Sequence, residues 1–354
     1  MRKWNVCVLF GGMSREHEVS LRSAEAVLNN LDPEKYNIYP VGITRDGRWY
    51  HYVGSDYEKI ATGAWEEAEE NCPVAISPVR GQGLLCFEEG CVTTVALDVV
   101  FPMLHGKNGE DGAIQGLLQL AGIACVGADL ETAALAMDRD LTKQVACRMG
   151  LTHGDWMVIR SEELHRRMEA VIAQIQENFL FPVYVKPVGT GSSVGVSKAT
   201  DGISLQVALL TAAEQDERVL IEEAVRGKEV KVAVMGNSSP IASICGQIDY
   251  ETAISEDGDS VVKTPVQIIP ADIEEDVAEQ IRDCAVKMYS AMGCRGLSRV
   301  DFFVTEDGQP VFHKISTMPC FEINAMYPKL FAASGVEFSD LLDRLLELAM
   351  EAEQ

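Results

Sequence analysis

Apolar and polar positions alternate along the first third of the chain in two rhythms. Residues 5–10 form a short apolar strand, Gly11-Gly12 a tight turn, and Ala24, Val27, Leu28 and Leu31 fall on one helical face. Residues 36–43 read as a second strand. Residues 96–103 read as a buried strand, followed by a loop and a helix with Ile114, Leu117, Leu118 and Ala121 at core spacing. Strand and helix in alternation predict a parallel-sheet α/β domain over residues 1–127.

The pattern then changes. Asp138 is placed to N-cap a helix carrying Leu141, Val145 and Met149, which stops at Gly150. Leu164, Met168, Val171, Ile172 and Ile175 mark another helix, and residues 181–188 and 194–199 read as strands around a glycine-rich loop. A third block is expected to build a sheet from residues 219–225, 229–235, 241–248 and a hairpin at 299–317, with helices at 272–292 and 337–352. Polar, turn-rich residues 249–267 are expected to form a long mobile loop. The expected boundaries are therefore 1–127, 128–218 with a flap at 188–195, and 219–354.

The chain has 354 residues, of which 47% are hydrophobic and 24% charged, with a net charge of −24. Nucleic acid and anionic membranes would both be repelled, so any bound anion must be held by locally placed cations or backbone N–H groups. The ten cysteines include no C-x-x-C pair and lie mostly in apolar stretches, as expected in a reducing compartment. The start lacks a secretory apolar region and no apolar run is long enough to span a bilayer, so a cytoplasmic location is expected.

Five segments carry candidate chemistry. In Val-Tyr-Val-Lys-Pro-Val-Gly-Thr-Gly-Ser-Ser-Val-Gly-Val-Ser-Lys (183–198), Lys186 ends a strand and glycines let backbone N–H groups approach an anion, which suggests a flap over phosphates. Glu222, Glu223 and Glu229 stand at strand ends, where carboxylates accept hydrogen bonds from an adenine amine or ribose hydroxyls. Glu16 follows the first strand and is placed to hold a substrate ammonium. His105 lies on a glycine-rich loop at another strand's end, the edge at which open α/β sheets bind ligands. In the hairpin, Asp301 interrupts an apolar strand, where an unpaired carboxylate would be costly. The return strand offers His313 and Lys314 rather than a second acid.

In this order the chain resembles, from end to end, the D-alanine–D-alanine ligases of the ATP-grasp superfamily. The resemblance rests on Phe-Gly-Gly-Met-Ser-Arg-Glu-His-Glu-Val-Ser (10–20), Leu-His-Gly-Lys-Asn-Gly-Glu-Asp-Gly-Ala-Ile-Gln-Gly (104–116), Ala-Met-Asp-Arg-Asp-Leu-Thr-Lys (136–143), the flap segment and Ser-Arg-Val-Asp-Phe-Phe (298–303). Residues 41–52 look most like the vancomycin-resistance branch that makes D-alanine–D-serine. The resemblance implies an α/β fold: an ATP-grasp fold preceded by a Rossmann-like parallel α/β N-terminal domain. It also implies a reaction, in which ATP phosphorylates one D-alanine and the amine of a second D-amino acid attacks the acyl phosphate. Glu16 and His105 would hold substrate, with Ser192 positioning it and Arg299 stabilising the oxyanion. Arg139 and Lys186 would contact phosphates, Glu222, Glu223 and Glu229 the adenosine, and Asp301 Mg²⁺. A homodimer is the family's habit.

One segment departs from that pattern. Family members read Asn-Glu-x-Asn-Thr-x-Pro-Gly where this chain reads His313-Lys314-Ile315-Ser316-Thr317-Met318-Pro319-Cys320. Lys314 stands for a metal-bridging Glu, Ser316 for an Asn ligand, and Cys320 for an oxyanion-hole Gly. Ala325 replaces a substrate-binding Ser, and Ala253 and Ile254 replace a Lys and a Tyr of the mobile loop. An ammonium about 5 Å from Mg²⁺ is repelled by roughly 6–7 kcal/mol at an effective dielectric near 20. Three readings follow: a working ligase with altered metal use or substrate, a non-catalytic homologue that binds nucleotide or D-alanine, and an ATP-grasp ligase of another carboxylate–amine pair. A nicotinamide-dependent dehydrogenase is disfavoured by the missing glycine fingerprint.

Overall fold

The computed structural model describes residues 2–189, 195–254 and 261–352, in which three sheets carry the architecture. In the first, Trp4–Gly11 lies parallel between Tyr36–Ile43 and Val99–Pro102, with Ala124–Cys125 beyond. Val6 through Phe10 are fully buried, which is why this strand reads as an unbroken apolar run. At its end Gly11 has φ +85°, and a Cβ there would collide with the Ile43 carbonyl, so the turn requires glycine.

The expected parallel sheet is present in these four strands. A wing of Trp49–His51, Cys72–Ile76, Leu84–Glu88 and Cys91–Val95 extends it from Tyr36–Ile43 with antiparallel pairing throughout. Connections as short as Glu89-Gly90, between Leu84–Glu88 and Cys91–Val95, allow only antiparallel neighbours.

The second sheet is antiparallel, in the order Ser197–Ala199, Val183–Pro187, Arg218–Glu223, Trp156–Arg160. The segment expected at 219–225 in the last sheet belongs here, registered from Val183↔Glu223 to Pro187↔Val219. Its alternate residues Val219 and Ile221 share a core with Val183, Val185, Ile175 and Leu209, which fixes the assignment. Helix Arg139–Arg148 begins as predicted, with the Asp138 carboxylate accepting from the Asp140 and Leu141 N–H groups at 3.0 Å.

The third sheet runs Val261–Ile268, Gly246–Ile254, Lys228–Met235, Leu297–Val304, Pro310–Ser316. Of the loop expected over 249–267, residues 249–254 and 261–267 belong instead to a strand pair, registered from Gln247↔Ile268 to Ile254↔Val261, while 255–260 fall outside the described residues. Its polarity concealed a run of β-branched residues, Thr252, Ile254, Val261, Val262, Thr264 and Val266, that favours extended chain. Helices Met326–Ala333 and Phe338–Ala352 return to the first sheet, where Phe331, Leu341 and Leu345 join Val6, Phe10 and Phe101 in one core. Among the described residues no helix is long and apolar enough to cross a membrane.

Candidate active site

Side-chain alternation deals out the floor of the cleft. In the third sheet Val230, Val232, Val234, Val300, Phe302, Val304 and Ile315 face one core. The intervening residues face the opposite way. Lys231, Asp301 and Lys314 are direct neighbours across three strands, so they form a row with the carboxylate in the middle. A bulge builds that row. Phe302 pairs with Phe312 while Asp301 pairs with Lys314, leaving His313 as the extra residue and turning Lys314 onto the face of Asp301.

Asp301 is fully buried. Arg299, two residues back on the same face, donates from Nε to Oδ1 at 2.7 Å and from Nη2 to Oδ2 at 2.9 Å. The Lys231 and Lys314 ammonium groups stand 3.9 and 3.8 Å from Oδ2. Burial alone would raise the Asp301 carboxyl, but Arg299, Lys231 and Lys314 together hold it well below the usual carboxylate range. Burial lowers Lys314 to about 8 against the attraction of Asp301.

This donor set does not fit the pair of divalent cations that the resemblance implies. Both Asp301 oxygens already accept from Arg299, and two further cations lie within 4 Å of the same carboxylate. Among the described residues no group of three His, Cys, Asp or Glu side chains is placed to hold a metal ion. The cation that the sequence demanded for Asp301 is supplied by the protein itself.

On the second sheet Glu222 occupies a similar position. Its Oε1 accepts from Lys186 and its Oε2 lies 3.1 Å from Lys143, all three side chains being buried. Burial would raise Glu222, but the two ammonium groups hold it well below its ordinary range, and burial lowers Lys186 to about 8. Beside this cluster opens a cleft walled by Tyr184, Val225, Phe303 and Phe312, an apolar slot suited to a flat base. Glu229 sits at one side, its carboxylate 3.0 Å from Lys231 and 3.5 Å from the Tyr250 hydroxyl. Glu223 is exposed, and its backbone N–H donates to the Asp155 carbonyl. Lys143, Glu222 and His313 also line the adjoining chamber, with Arg139, Lys314 and Ser316.

The first sheet contributes two acids. Glu16 immediately precedes helix His17–Asn30, and a Cβ at Gly106 would lie 2.6 Å from its Oε2, so the loop passes the carboxylate as closely as glycine permits. Burial raises Glu16, and Lys314 partly opposes the shift. Glu110 accepts from the Gly106 N–H at 2.7 Å and faces the Ser316 hydroxyl at 3.5 Å. Burial, with the charge of Glu16, pushes it up to about 7. His105 is buried beside Ser23 at 3.4 Å, and burial takes it down to about 4, so its imidazole is neutral. Cys320 lies near Arg299, with burial pushing its thiol up to about 11.

Glu16, Arg139, Lys186, Glu222, Glu229, Arg299 and Asp301 are thus gathered around one cleft, with Glu223 at its edge and His105 behind it. Ser192 falls outside the described residues, as does the centre of the flap. Sequence reasoning does not single out Glu110, Lys143 or Lys231. Each carries a signal all the same: Glu110 in the same glycine-rich loop as His105, Lys143 one helical turn after Arg139, and Lys231 on the polar phase of an otherwise apolar strand.

Models of the D-alanine–D-alanine ligase N-terminus and C-terminus match residues 5–128 and 145–347. A D-alanine–D-alanine ligase of Ruminiclostridium cellulolyticum is 42% identical over 99% of this chain and 96% of its own length. One from Thermoanaerobacter sp. (strain X514) is 42% identical over 99% and 98%. Among solved structures, the VanG D-Ala:D-Ser ligase from Enterococcus faecalis superposes with a TM-score of 0.90 at 37% identity, covering 98% of this chain and 100% of that one. The D-alanine–D-alanine ligase from Coxiella burnetii gives 0.85 at 32% identity, covering 99% and 96%. Both the ATP-grasp architecture with an added N-terminal domain and the likeness to a D-Ala:D-Ser enzyme agree with these matches. The chain belongs to the D-alanine–D-alanine ligase family.

Proposed function

We propose that this protein joins D-alanine to a second D-amino acid, D-alanine or D-serine, with cleavage of ATP. The convergence of Glu16, Arg299 and a cluster of buried cations on one cleft carries the reading. The base fits the slot between Tyr184, Val225, Phe303 and Phe312, with Glu229 at the ribose end and Glu222 and Glu223 toward the adenine. Arg139, Lys143 and Lys186 face the phosphates.

Glu16 takes the ammonium of the first D-alanine, as a carboxylate beside a glycine-rich loop is suited to do. Glu110 is a second acceptor on the same side. Once the terminal phosphoryl group has moved to the D-alanine carboxylate, the second amine attacks that carbonyl carbon and phosphate leaves. Arg299 supports this step. Its guanidinium is fixed by Asp301 and faces the charge that develops on the carbonyl oxygen. Ser192 positions the first substrate. Retention of Glu16 and Arg299 favours a working ligase over a silent homologue.

The resulting dipeptide is a peptidoglycan precursor, which places the reaction in cell-wall synthesis in the cytoplasm; a homodimer and a three-domain division near residues 127 and 218 complete the reading. The test is phosphate release by the purified protein with ATP, D-alanine and D-serine, with products identified by mass. Formation of either dipeptide upholds the proposal. ATP binding with no dipeptide from any pair of D-amino acids overturns it.

A further inference from the structure

The metal sites implied by the family do not fit Asp301, and the misfit has a definite form. Lys314 is partly buried, points into the chamber shared with Arg139, Lys143 and Glu222, and approaches Asp301 at 3.8 Å. That separation is charge pairing without a hydrogen bond, so the ammonium donors stay available to an incoming oxygen. Lys231 on the other side is already drawn to Glu229 at 3.0 Å. Arg299 is committed to both carboxylate oxygens.

Of the three cations around Asp301, Lys314 is therefore the one that lines the chamber with its ammonium uncommitted to Asp301 by a hydrogen bond. The bulge at His313 matters here. It is a backbone feature that turns one ammonium from the core face to the cleft face of the strand. A divalent cation brought to Asp301 would face Lys231, Arg299 and Lys314 at once, whereas phosphate oxygens would be attracted by all three.

We propose that Lys314, anchored by Asp301, is a resident cation that takes the nucleotide's phosphate oxygens directly, so that the nucleotide binds with no divalent cation at Asp301. This inference rests on the nucleotide reading of the cleft. An ammonium supplies what an ion would supply at that spot, positive charge at a fixed place, but it cannot be removed by a chelator. It also presents N–H donors rather than open coordination positions.

Calorimetric titration of the full chain with ADP, in excess EDTA and in Mg²⁺, tests this without reference to turnover. The expected result is two affinities within about threefold of each other, and a loss of about tenfold or more in EDTA for Lys314→Met. Lys314→Arg keeps the charge and is expected to stay within about threefold of the parent. The double variant Lys314→Glu with Ser316→Asn is expected to bind ADP weakly in EDTA and to recover in Mg²⁺. A parent protein that binds ADP in Mg²⁺ but at least about tenfold more weakly in EDTA would overturn the inference and leave the nucleotide reading standing. Absence of ADP binding under both conditions would overturn both. If a variant fails to fold, the two titrations of the parent protein still separate these outcomes.

Discussion

Glu222 and Asp301 are both buried carboxylates set between two lysines, one on each sheet that borders the cleft. At Glu222 each oxygen is taken by one ammonium, and Lys143 and Lys186 are as buried as the acid. At Asp301 a guanidinium takes both oxygens and the lysines stand back at 3.8 and 3.9 Å. The first arrangement is closed on itself and acts as structure that also borders a ligand. The second is neutralised from behind and keeps one cation in reserve. Burial with short contacts fixes a charge, whereas a longer contact at an open edge leaves it usable.

The largest expected effect would test the closed cluster. Glu222→Gln leaves two buried ammonium groups without their counter-charge and is expected to cost about 3–5 kcal/mol, read from denaturant unfolding. A loss below about 1 kcal/mol would show that Lys143 and Lys186 find water or other partners. Next comes the contrast between lysines. Lys143→Met should cost about 2–3 kcal/mol, because it leaves part of a buried carboxylate uncompensated. Lys314→Met should cost about 1 kcal/mol or less, since Arg299 still satisfies Asp301 and the lysine is 31% exposed. Equal losses at the two positions would erase the distinction between committed and reserved cations.

Two further effects depend on pH. Lys314 and Lys186 are each lowered to about 8, so both lose charge as pH rises through 8, and ADP affinity should fall between pH 7 and 9. Lys314 is faced by Asp301, Lys231, Arg299 and Arg139, and by Glu16 and Glu110 across the cleft; the positive groups among them assist its deprotonation. Lys314→Arg should make the decline shallower, leaving the part due to Lys186. A decline identical in parent and variant would assign it elsewhere. Glu110 is raised to about 7, so the folded protein holds its proton where the unfolded chain has lost it. Its contribution to stability is full below about pH 4.5 and disappears as pH rises through 7. Glu110→Gln is therefore expected to stabilise by roughly 1–3 kcal/mol at pH 8 relative to the parent, and not at pH 4.

Much of this was legible in the sequence because the relevant forces are local. The apolar run at 5–10, the Asp138 cap and the acid inside the Arg299–Phe302 strand each announce themselves through period, capping chemistry or cost of burial. Other features are set by partners distant in sequence. Nothing within 218–223 says which sheet it joins; that depends on Val219 and Ile221 meeting Val183 and Leu209. Residues 249–267 look like loop until the opposing strand is known. The register slip at His313 is invisible locally, yet it decides that Lys314 reaches Asp301 at all. The sequence showed an ammonium where an acid was expected, and the bulge supplied the reason it matters.

The shared core of the first strand and the last helix has a consequence for how the protein is made. Val6 and Phe10 are covered by Phe331, Leu341 and Leu345, so one face of the first strand waits for residues translated more than 300 positions later. At the usual pace of a ribosome that interval is roughly 15–60 s. During it an apolar surface stands open, and the nascent chain is a natural client for a chaperone until its final helix emerges.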